Sequence, residues 1–303
     1  MAAGVVLFAD DLQVFLEVAR RGRLTEAAKH LQINHTTVSR RITKLERAAQ
    51  NRLFDRSVDG WTLTDVGDRL LAHAETVESA LLLAQEECMA TGPSLSGSVR
   101  ILAPTGFGVY LLLPRLGRSR EHHQDLTIEV VTANRHASLT AREFDLAVTI
   151  ERPETRAVVV KKLATFTLEL YATPHYLSSN APIESVADLN RHVLIWYVED
   201  ALDQATYDLL HEFAPDAHPQ IRTNNIAGQV QAAEAGLGIA FLPSFIADRN
   251  PRLQRILAAR SRVVRSYWLS VPRNLSRLAR VRSMMNLIDR LIADCDGFNA
   301  ESR

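Results

Sequence analysis

Apolar residues recur at helical spacing between Asn34 and Ala49. Val38, Ile42 and Leu45 fall at i, i+4 and i+7, which predicts one narrow apolar stripe along a helix. Asn34 precedes this stripe and is a suitable N-cap. The opposite face carries short hydrogen-bonding groups and a guanidinium, namely His35, Thr36, Ser39, Arg40 and Thr43. Because such a face suits base edges and phosphates, we predict a DNA recognition helix over Asn34–Ala49.

Shorter elements are predicted on both sides of this helix. Residues 11–21 form one amphipathic helix that ends at Gly22, and Thr25 is the expected N-cap of a second helix over 26–31. Residues 53–56 and 61–63 flank an Asp-Gly pair and predict a β-hairpin. Together they predict a helix-turn-helix with a wing, from which Arg56 can reach the DNA backbone or minor groove.

A long helix is predicted from Thr64, its expected N-cap, to about Thr91. Its apolar residues alternate by four and three positions, which is typical of a helix that packs against a second copy of itself. The alternative is that this seam packs onto another part of the same chain. The seam consists of Leu70, Ala74, Val77, Leu81, Ala84 and Cys88. Residues 91–97 contain Gly, Pro and Ser and predict a hinge or linker.

Strands alternate with helices from Val99 onward. The order predicts parallel sheets covered by helices, arranged as two lobes with crossing strands and a ligand cleft between them. Strands are predicted at 99–103, 126–131, 146–150, 168–172, 193–197, 221–223, 239–242 and 266–271. Helices are predicted at 110–116, 138–143, 185–189, 201–213, 226–235 and 278–294, with Gly236 and Gly238 ending the fifth of these.

The charge distribution adds to this picture more than the net charge does. The 303-residue chain has a formal net charge of zero, which by itself argues against a nucleic-acid binder. However, Arg20–Arg56 holds ten Lys or Arg against three acids, the local footprint that phosphate binding needs. A second basic run, Arg252–Arg290, holds ten Arg and one acid, and we interpret it as a solvated face.

Composition favours a reduced, cytoplasmic, globular protein. The hydrophobic content of 47% is ordinary for this class, and the two cysteines, Cys88 and Cys295, are far apart and have no metal-ligand spacing. A redox disulfide between them is the less favoured alternative. We expect no signal peptide and no membrane partner, since no apolar run approaches the roughly 20 residues that a membrane span needs.

These residues carry a family likeness: the chain resembles LysR-type transcriptional regulators over nearly its whole length. The matching N-terminal positions are Phe15, Ala19, Gly22, Thr25–Ala28, Leu31, Val38, Ser39, Ile42, Leu45, Glu46, Leu53–Arg56, Leu63, Thr64 and Gly67. Further on, the matching stretches are Ala103–Gly108, Asp145–Val148, Leu170–Ala172 and Gly236–Pro243.

The resemblance implies a mixed fold. A winged helix-turn-helix, mainly α, would occupy residues 1–63, and a dimerising linker helix residues 64–91. A two-lobed α/β effector domain similar to periplasmic binding proteins would occupy 92–303, with one lobe at about 98–162 and 267–303 and the other at about 163–266. Three positions depart from the family pattern. Arg23 replaces a small hydroxyl residue, Gln50 replaces glycine, and Thr149 stands where relatives often carry arginine.

The resemblance also implies the partners. They are double-stranded DNA with a dyad operator, a small-molecule effector and further copies of the chain in a homotetrameric dimer of dimers, with RNA polymerase as a further candidate. We predict a transcription regulator that is not an enzyme and needs no cofactor or metal, since no nucleophile elbow, phosphate loop or dinucleotide fingerprint occurs. The alternative is a small-molecule binding protein without specific operator binding.

Candidate site residues follow for both ligands. For DNA, we expect His35, Thr36, Ser39 and Arg40 near base edges and Thr25 and Arg56 at phosphates. The alternative is that these residues form only the solvated face of a small helical domain.

For the effector, the candidates are Thr105, Gly106, Phe107, Thr149, Trp196, Asn224 and Asn225. Because the amides of a helix start favour an anion, we expect a small carboxylate or an aromatic acid. Thr105 as a simple N-cap and Trp196 as a core residue are the alternatives.

Overall fold

The chain forms two compact units, Met1–Pro93 and Ser94–Arg303. The structure is a computed structural model and describes residues 6–57, 60–89, 95–117, 121, 123–132, 144–154, 158–198, 210, 218–258, 262–295 and 298. Within these ranges, no helix is both long and apolar enough to cross a lipid bilayer.

Three short helices and a hairpin build the first unit. Helices α1 (Ala9–Arg21), α2 (Leu24–Leu31) and α3 (His35–Ala49) are followed by strands β1 (Phe54–Arg56) and β2 (Trp61–Leu63), which pair antiparallel. The apolar stripe of α3 is fully buried, as predicted, in a core that contains Phe15, Leu53 and Phe54. The winged helix-turn-helix is therefore confirmed, although the turn residues 58 and 59 of the wing lie outside the described residues.

Helix α4 (Asp65–Met89) completes the first unit, and its start follows the expected cap. The Thr64 hydroxyl accepts a hydrogen bond from the Gly67 amide at 3.1 Å. A Cβ atom at Gly67 would lie 2.2 Å from the Leu53 carbonyl oxygen, so only glycine lets the helix start this close to the wing.

The second unit begins with strands and irregular helical turns. Strand β3 (Gly97–Ala103) leads into α5 (Thr105–Phe107), a single turn that continues as a π-helical turn over Gly108–Leu112 and a 3-10 turn over Leu113–Arg115. Strands β4 (Leu126–Thr132) and β5 (Leu146–Thr149) follow, and then the 15-residue β6 (Val158–Ala172). The expected regular helix over 110–116 was therefore wrong.

The remaining elements repeat the alternation. They are α6 (Pro174–Ser179), a 3-10 turn (Val186–Arg191), β7 (Leu194–Tyr197), β8 (Ile221–Thr223), α7 (Ile226–Glu234), β9 (Ile239–Pro243), α8 (Ser244–Ala247), β10 (Gln254–Ile256), β11 (Val263–Pro272) and α9 (Ala279–Ala293). Gly236, at φ +72°, follows α7 and ends it, as predicted.

Nine strands of the described part join in one mixed sheet. Its order is β4-β3-β5-β11-β6-β9-β7-β8, with β10 also paired to β6. The predicted parallel pairing holds for β3 with β4 and β5, and for β7 with β8 and β9. The long strands β6 and β11 are instead antiparallel to each other and to β9 and β5, respectively, because they connect the two lobes.

The register of the two long strands shifts between Tyr267 and Trp268. Trp268–Pro272 pairs with Val158–Lys162 and, in part, with β5, whereas Val263–Tyr267 pairs with Ala164–Leu168. The shift thus separates the β3-β4-β5 half of the sheet from the β7-β8-β9 half. The pattern did not predict α6, α8 or β10. The predicted helix 138–143 lies outside the described residues, as does all of 201–213 except Leu210.

Candidate nucleic-acid interface and effector site

The start of α3 is fixed by its cap. The Asn34 side-chain oxygen accepts the Thr36 backbone N–H at 3.0 Å and the Thr36 hydroxyl at 3.0 Å. Asn34 itself keeps an extended backbone, so the helix begins at His35, as predicted. The cap therefore determines where the polar face of α3 begins.

The predicted base-reading side chains share the solvent side of α3. His35, Thr36 and Arg40 are exposed and Ser39 is half-buried. Within the described residues, Arg40 makes no hydrogen bond or ion pair, so its guanidinium is available to a partner. Which of these side chains meets a base and which meets a phosphate stays a prediction.

The predicted cap at Thr25 was wrong. Helix α2 begins at Leu24, and its N-cap is Arg23, whose side chain makes no capping hydrogen bond. The Ala27 amide donates to the Arg23 carbonyl at 3.1 Å, and Leu24 packs against the core of the unit. Packing of Leu24 therefore outweighs the capping preference of a hydroxyl residue. Thr25 is exposed in the first turn, and a phosphate contact there stays a prediction.

Arg56 is half-exposed, but its guanidinium is paired within the first unit rather than free. Its Nη2 atom lies 2.6 Å from Glu46 Oε2, and its guanidinium lies 4.4 Å from the centroid of the Trp61 ring. The other carboxylate oxygen of Glu46 accepts the Leu53 amide at 3.0 Å and the Phe54 amide at 3.4 Å. Glu46 thus ties the last turns of α3 to the wing, and Arg56 is part of that tie.

Part of the basic segment is also committed to internal pairs. Glu17 on α1 is only 7% exposed, and its carboxylate lies within 3.2 Å of Arg20, Arg21 and His30. Arg20 also forms a bidentate pair with Glu78 on α4. The charge excess of Arg20–Arg56 therefore overstates the number of cations that a phosphate backbone can meet.

The predicted seam of α4 divides into two parts. Ala74 is buried and Leu70 packs against the helix-turn-helix core, whereas Val77 is 37% and Leu81 47% exposed. The first part thus packs onto its own chain, the alternative interpretation, and the second part keeps an open apolar face.

The predicted effector residues at 105–107 lie at the junction of the two halves of the sheet. A Cβ atom on Gly106 would lie 3.4 Å from Ile226 Cγ2 and 3.7 Å from Tyr267 Oη. The Phe107 side chain is fully buried and packs edge-on against Tyr267, with ring centroids 5.1 Å apart. The first turn of α5 thus faces the first turn of α7, and a side chain larger than hydrogen at Gly106 would crowd the space between them.

The other predicted effector residues do not form one cluster around a space. Thr149 is 8% exposed, and its hydroxyl donates to the Glu151 carbonyl at 2.6 Å. Trp196 stacks on Phe241 in the core of the second half, which bears out its alternative interpretation. Asn225 caps α7 by accepting the Gly228 amide at 2.8 Å, while Asn224 is exposed.

Two further residues near this junction escaped the sequence interpretation. Tyr267 is buried beside Gly106 and Phe107, and burial raises the pKa of its phenol, so the hydroxyl stays protonated at neutral pH. Gln229 lies three residues after Ile226 in α7 and is fully buried, and neither polar atom of its amide has a hydrogen-bond partner in the described residues. A glutamine inside the apolar helix 226–235 was the signal that could have identified the latter.

The fold and the polar face of α3 define a DNA-binding regulator with a separate effector domain, and the comparisons agree. The LysR substrate binding domain matches residues 92–292, and the bacterial regulatory helix-turn-helix of the lysR family matches residues 9–68. The chain therefore belongs to the LysR family of transcription regulators. Members of this family bind DNA and small-molecule effectors and act as oligomers, and they are not enzymes.

Individual relatives cover most of the chain. The HTH-type transcriptional regulator HdfR of Escherichia coli is 28% identical over 290 residues, covering 92% of this chain and 98% of its own. A full-length OxyR variant from Pseudomonas aeruginosa has a similar fold, with a TM-score of 0.72 at 19% identity, covering 98% of this chain and 99% of its own. LysG from Corynebacterium glutamicum, solved with bound effector Arg, has a TM-score of 0.67 at 17% identity. The match covers 95% of this chain and 99% of LysG.

Proposed function

We propose that this LysR-family regulator reads a dyad operator through α3, with Arg40 as its principal base-reading side chain. The observation that carries this proposal is the Arg40 guanidinium, which has no partner among the residues that the structure describes and lies on an exposed, Asn34-capped helix face. A guanidinium can donate two hydrogen bonds to a guanine, worth roughly 1–3 kcal/mol of discrimination. Arg56 acts differently from Arg40, because it positions the wing through Glu46 and meets DNA only from that fixed place.

The regulator acts as a dimer of dimers in this proposal. The open apolar face of α4 around Val77 and Leu81 supports pairing with a second copy, since large exposed apolar side chains at helical spacing favour association. Two paired recognition helices must meet major grooves a whole number of turns apart, which explains the dyad operator. A cytoplasmic location and a contact with RNA polymerase belong to the same proposal.

The effector binds between the two halves of the second unit. The support is the close approach of α5 and α7 at Gly106 and Ile226, with the neutral Tyr267 hydroxyl and the buried Gln229 amide nearby. Buried amides are ordinarily hydrogen-bonded, and the Gln229 amide has no partner within the described ranges, which makes it a candidate ligand contact. The helix dipole at the start of α7 favours a negative charge, and we propose a small carboxylate or aromatic acid as the effector.

Effector binding changes the lobe closure and hence the spacing of the paired DNA-binding units. Calorimetric titration of the full chain with a metabolite panel tests the effector class. Carboxylates should bind and their amides should not, and binding of cationic or uncharged compounds alone would contradict this class.

Gel-shift assays on the upstream region of the neighbouring divergent gene test the operator. We expect salt-sensitive binding that a scrambled duplex does not compete away. The second candidate function is a small-molecule binding protein without operator specificity. Replacing Ser39 and Arg40 by alanine separates the two, because only a regulator loses DNA binding while it keeps its ligand and its oligomeric state.

A further inference from the structure

The cations of the recognition helix are not equivalent. Arg40, Arg41 and Lys44 line one open depression of about 470 Å³, together with Phe8, Ala9, Asp10 and Asp11 from the start of α1. Arg40 and Lys44 are one helical turn apart, so they present their charges on the same side of α3. Only Arg40 of these three cations has no acidic partner among the described residues.

Lys44 is held by two groups of α1. Its Nζ atom lies 2.9 Å from Asp11 Oδ2 and 4.4 Å from the centroid of the Phe8 ring. The Asp11 side chain is only 6% exposed, while Lys44 is 59% exposed. Asp11 stands in the first turn of α1, where the helix dipole stabilises its negative charge. The buried Asp11 carboxylate is therefore fixed beside Lys44 and offsets its charge.

The Arg41 pair is looser and serves as a comparison. Its Nη1 atom lies 3.8 Å from Asp10 Oδ2 and donates to the Asp10 carbonyl at 3.3 Å. The Asp10 side chain is 80% exposed, so solvent screens this pair. The half-buried Asp11 pair is thus the one that can fix a side chain of α3.

We propose that Asp11 withholds Lys44 from the DNA backbone and so limits the affinity of the chain for DNA of any sequence. Contacts between cations and phosphates supply affinity for any sequence, whereas base contacts discriminate. A lysine neutralised beside Arg40 removes one sequence-independent contact per recognition helix and leaves the base-reading guanidinium in place. The inference rests on the proposed function, because it takes the Arg40 side of α3 to be the side that meets DNA.

The salt dependence of binding to an arbitrary duplex tests this role. Fluorescence anisotropy is measured with a 30-bp duplex of random sequence between about 0.05 and 0.3 M salt for the wild type, Asp11→Asn, Lys44→Met and the double variant. Asp11→Asn should steepen the slope of log affinity against log salt concentration by about 0.9 for each recognition helix engaged. If the variant and the wild type bind equally at 1 M salt, this difference makes the variant bind roughly eightfold more tightly at 0.1 M salt. The double variant, which removes both charges of the pair, should keep the wild-type slope.

Glu87→Gln is the matched control, because it removes one negative charge from the exposed side of α4. Its slope should equal that of the wild type, and an equal steepening in Glu87→Gln would attribute the effect to net charge and overturn the proposal. So would a slope reduced by about 0.9 for each recognition helix in the double variant, since Lys44 would then already contact a phosphate in the wild type. If Asp11→Asn does not fold, the result for the double variant decides alone.

This test is separate from that of the operator. Binding to a random duplex does not require a specific site, so the slopes report on Lys44 even if the wild type shows no operator preference. A wild type without operator preference would refute the proposed recognition of an operator, but the result for Asp11 and Lys44 would still stand. If both hold, Asp11→Asn should raise the affinity for the operator and the affinity for the random duplex by the same factor and leave their ratio unchanged, because a phosphate contact adds equally to both.

Discussion

Replacement of Glu46 by alanine should release the wing from the recognition helix. The Glu46 carboxylate is 11% exposed, accepts the Leu53 and Phe54 amides and pairs with Arg56. Leu53 is fully buried, so its amide loses its acceptor and finds no water, which costs about 1–3 kcal/mol. The half-exposed Arg56 pair adds about 0–1 kcal/mol. The sum is roughly 1–4 kcal/mol.

Hydrogen exchange of the full chain measures this loss where it occurs. Exchange in the segment 51–63 should accelerate roughly 5- to 700-fold in Glu46→Ala, since 1.4 kcal/mol corresponds to a factor of ten. Glu46→Gln keeps an oxygen acceptor and should change exchange by less than about tenfold. Glu87→Ala on α4 is the control and should leave this segment unchanged. Wild-type exchange in Glu46→Ala would refute the tie between α3 and the wing.

Three further predictions concern stability. Gln50→Gly should stabilise the first unit by up to about 1 kcal/mol, because Gln50 has φ +51°, a conformation that costs a residue with a side chain roughly 1–2 kcal/mol. Thermal melting measures this gain, with Gln50→Ala as the control. A melting temperature of Gln50→Gly no higher than that of Gln50→Ala would contradict the prediction. Gly67→Ala should destabilise the same unit by about 1–3 kcal/mol through the clash with Leu53, and an unchanged melting temperature would disprove the contact. Gln229→Leu should raise the melting temperature of the effector domain by several degrees and abolish effector binding, so a destabilised variant would show that the amide has a partner.

Local patterns predicted the DNA-binding unit well. The stripe of Val38, Ile42 and Leu45, the Asn34 cap and the Thr64 cap depend on residues only a few positions apart, and the structure confirms each of them. The capping preference of Thr25 predicted the wrong start for α2. The helix begins at Leu24, because this side chain packs against the core of the unit.

Contacts between distant residues could not be predicted in the same way. Lys44 and Asp11 are 33 positions apart, and their pairing depends on the packing of α1 against α3. The sequence likewise shows Arg56 as a free cation, although Glu46 and Trp61 hold it.

The effector site was the least predictable part for the same reason. The turn at Gly106 was recognisable, but its neighbours Ile226 and Tyr267 come from two other segments of the chain. The sequence around Trp196 looks the same whether its ring lines a ligand site or packs in a core. In the structure the ring stacks on Phe241 and belongs to the core.

Selection of bound duplexes from a random library tests most directly whether α3 reads DNA through Arg40. The wild-type chain should enrich a dyad motif with a guanine at one fixed position of each half-site. Arg40→Ala, with an unchanged oligomeric state by light scattering, should bind this motif roughly 5- to 150-fold more weakly and lose the preference at that position. Enrichment of no motif by the wild type, or of the same motif at equal strength by Arg40→Ala, would contradict the account.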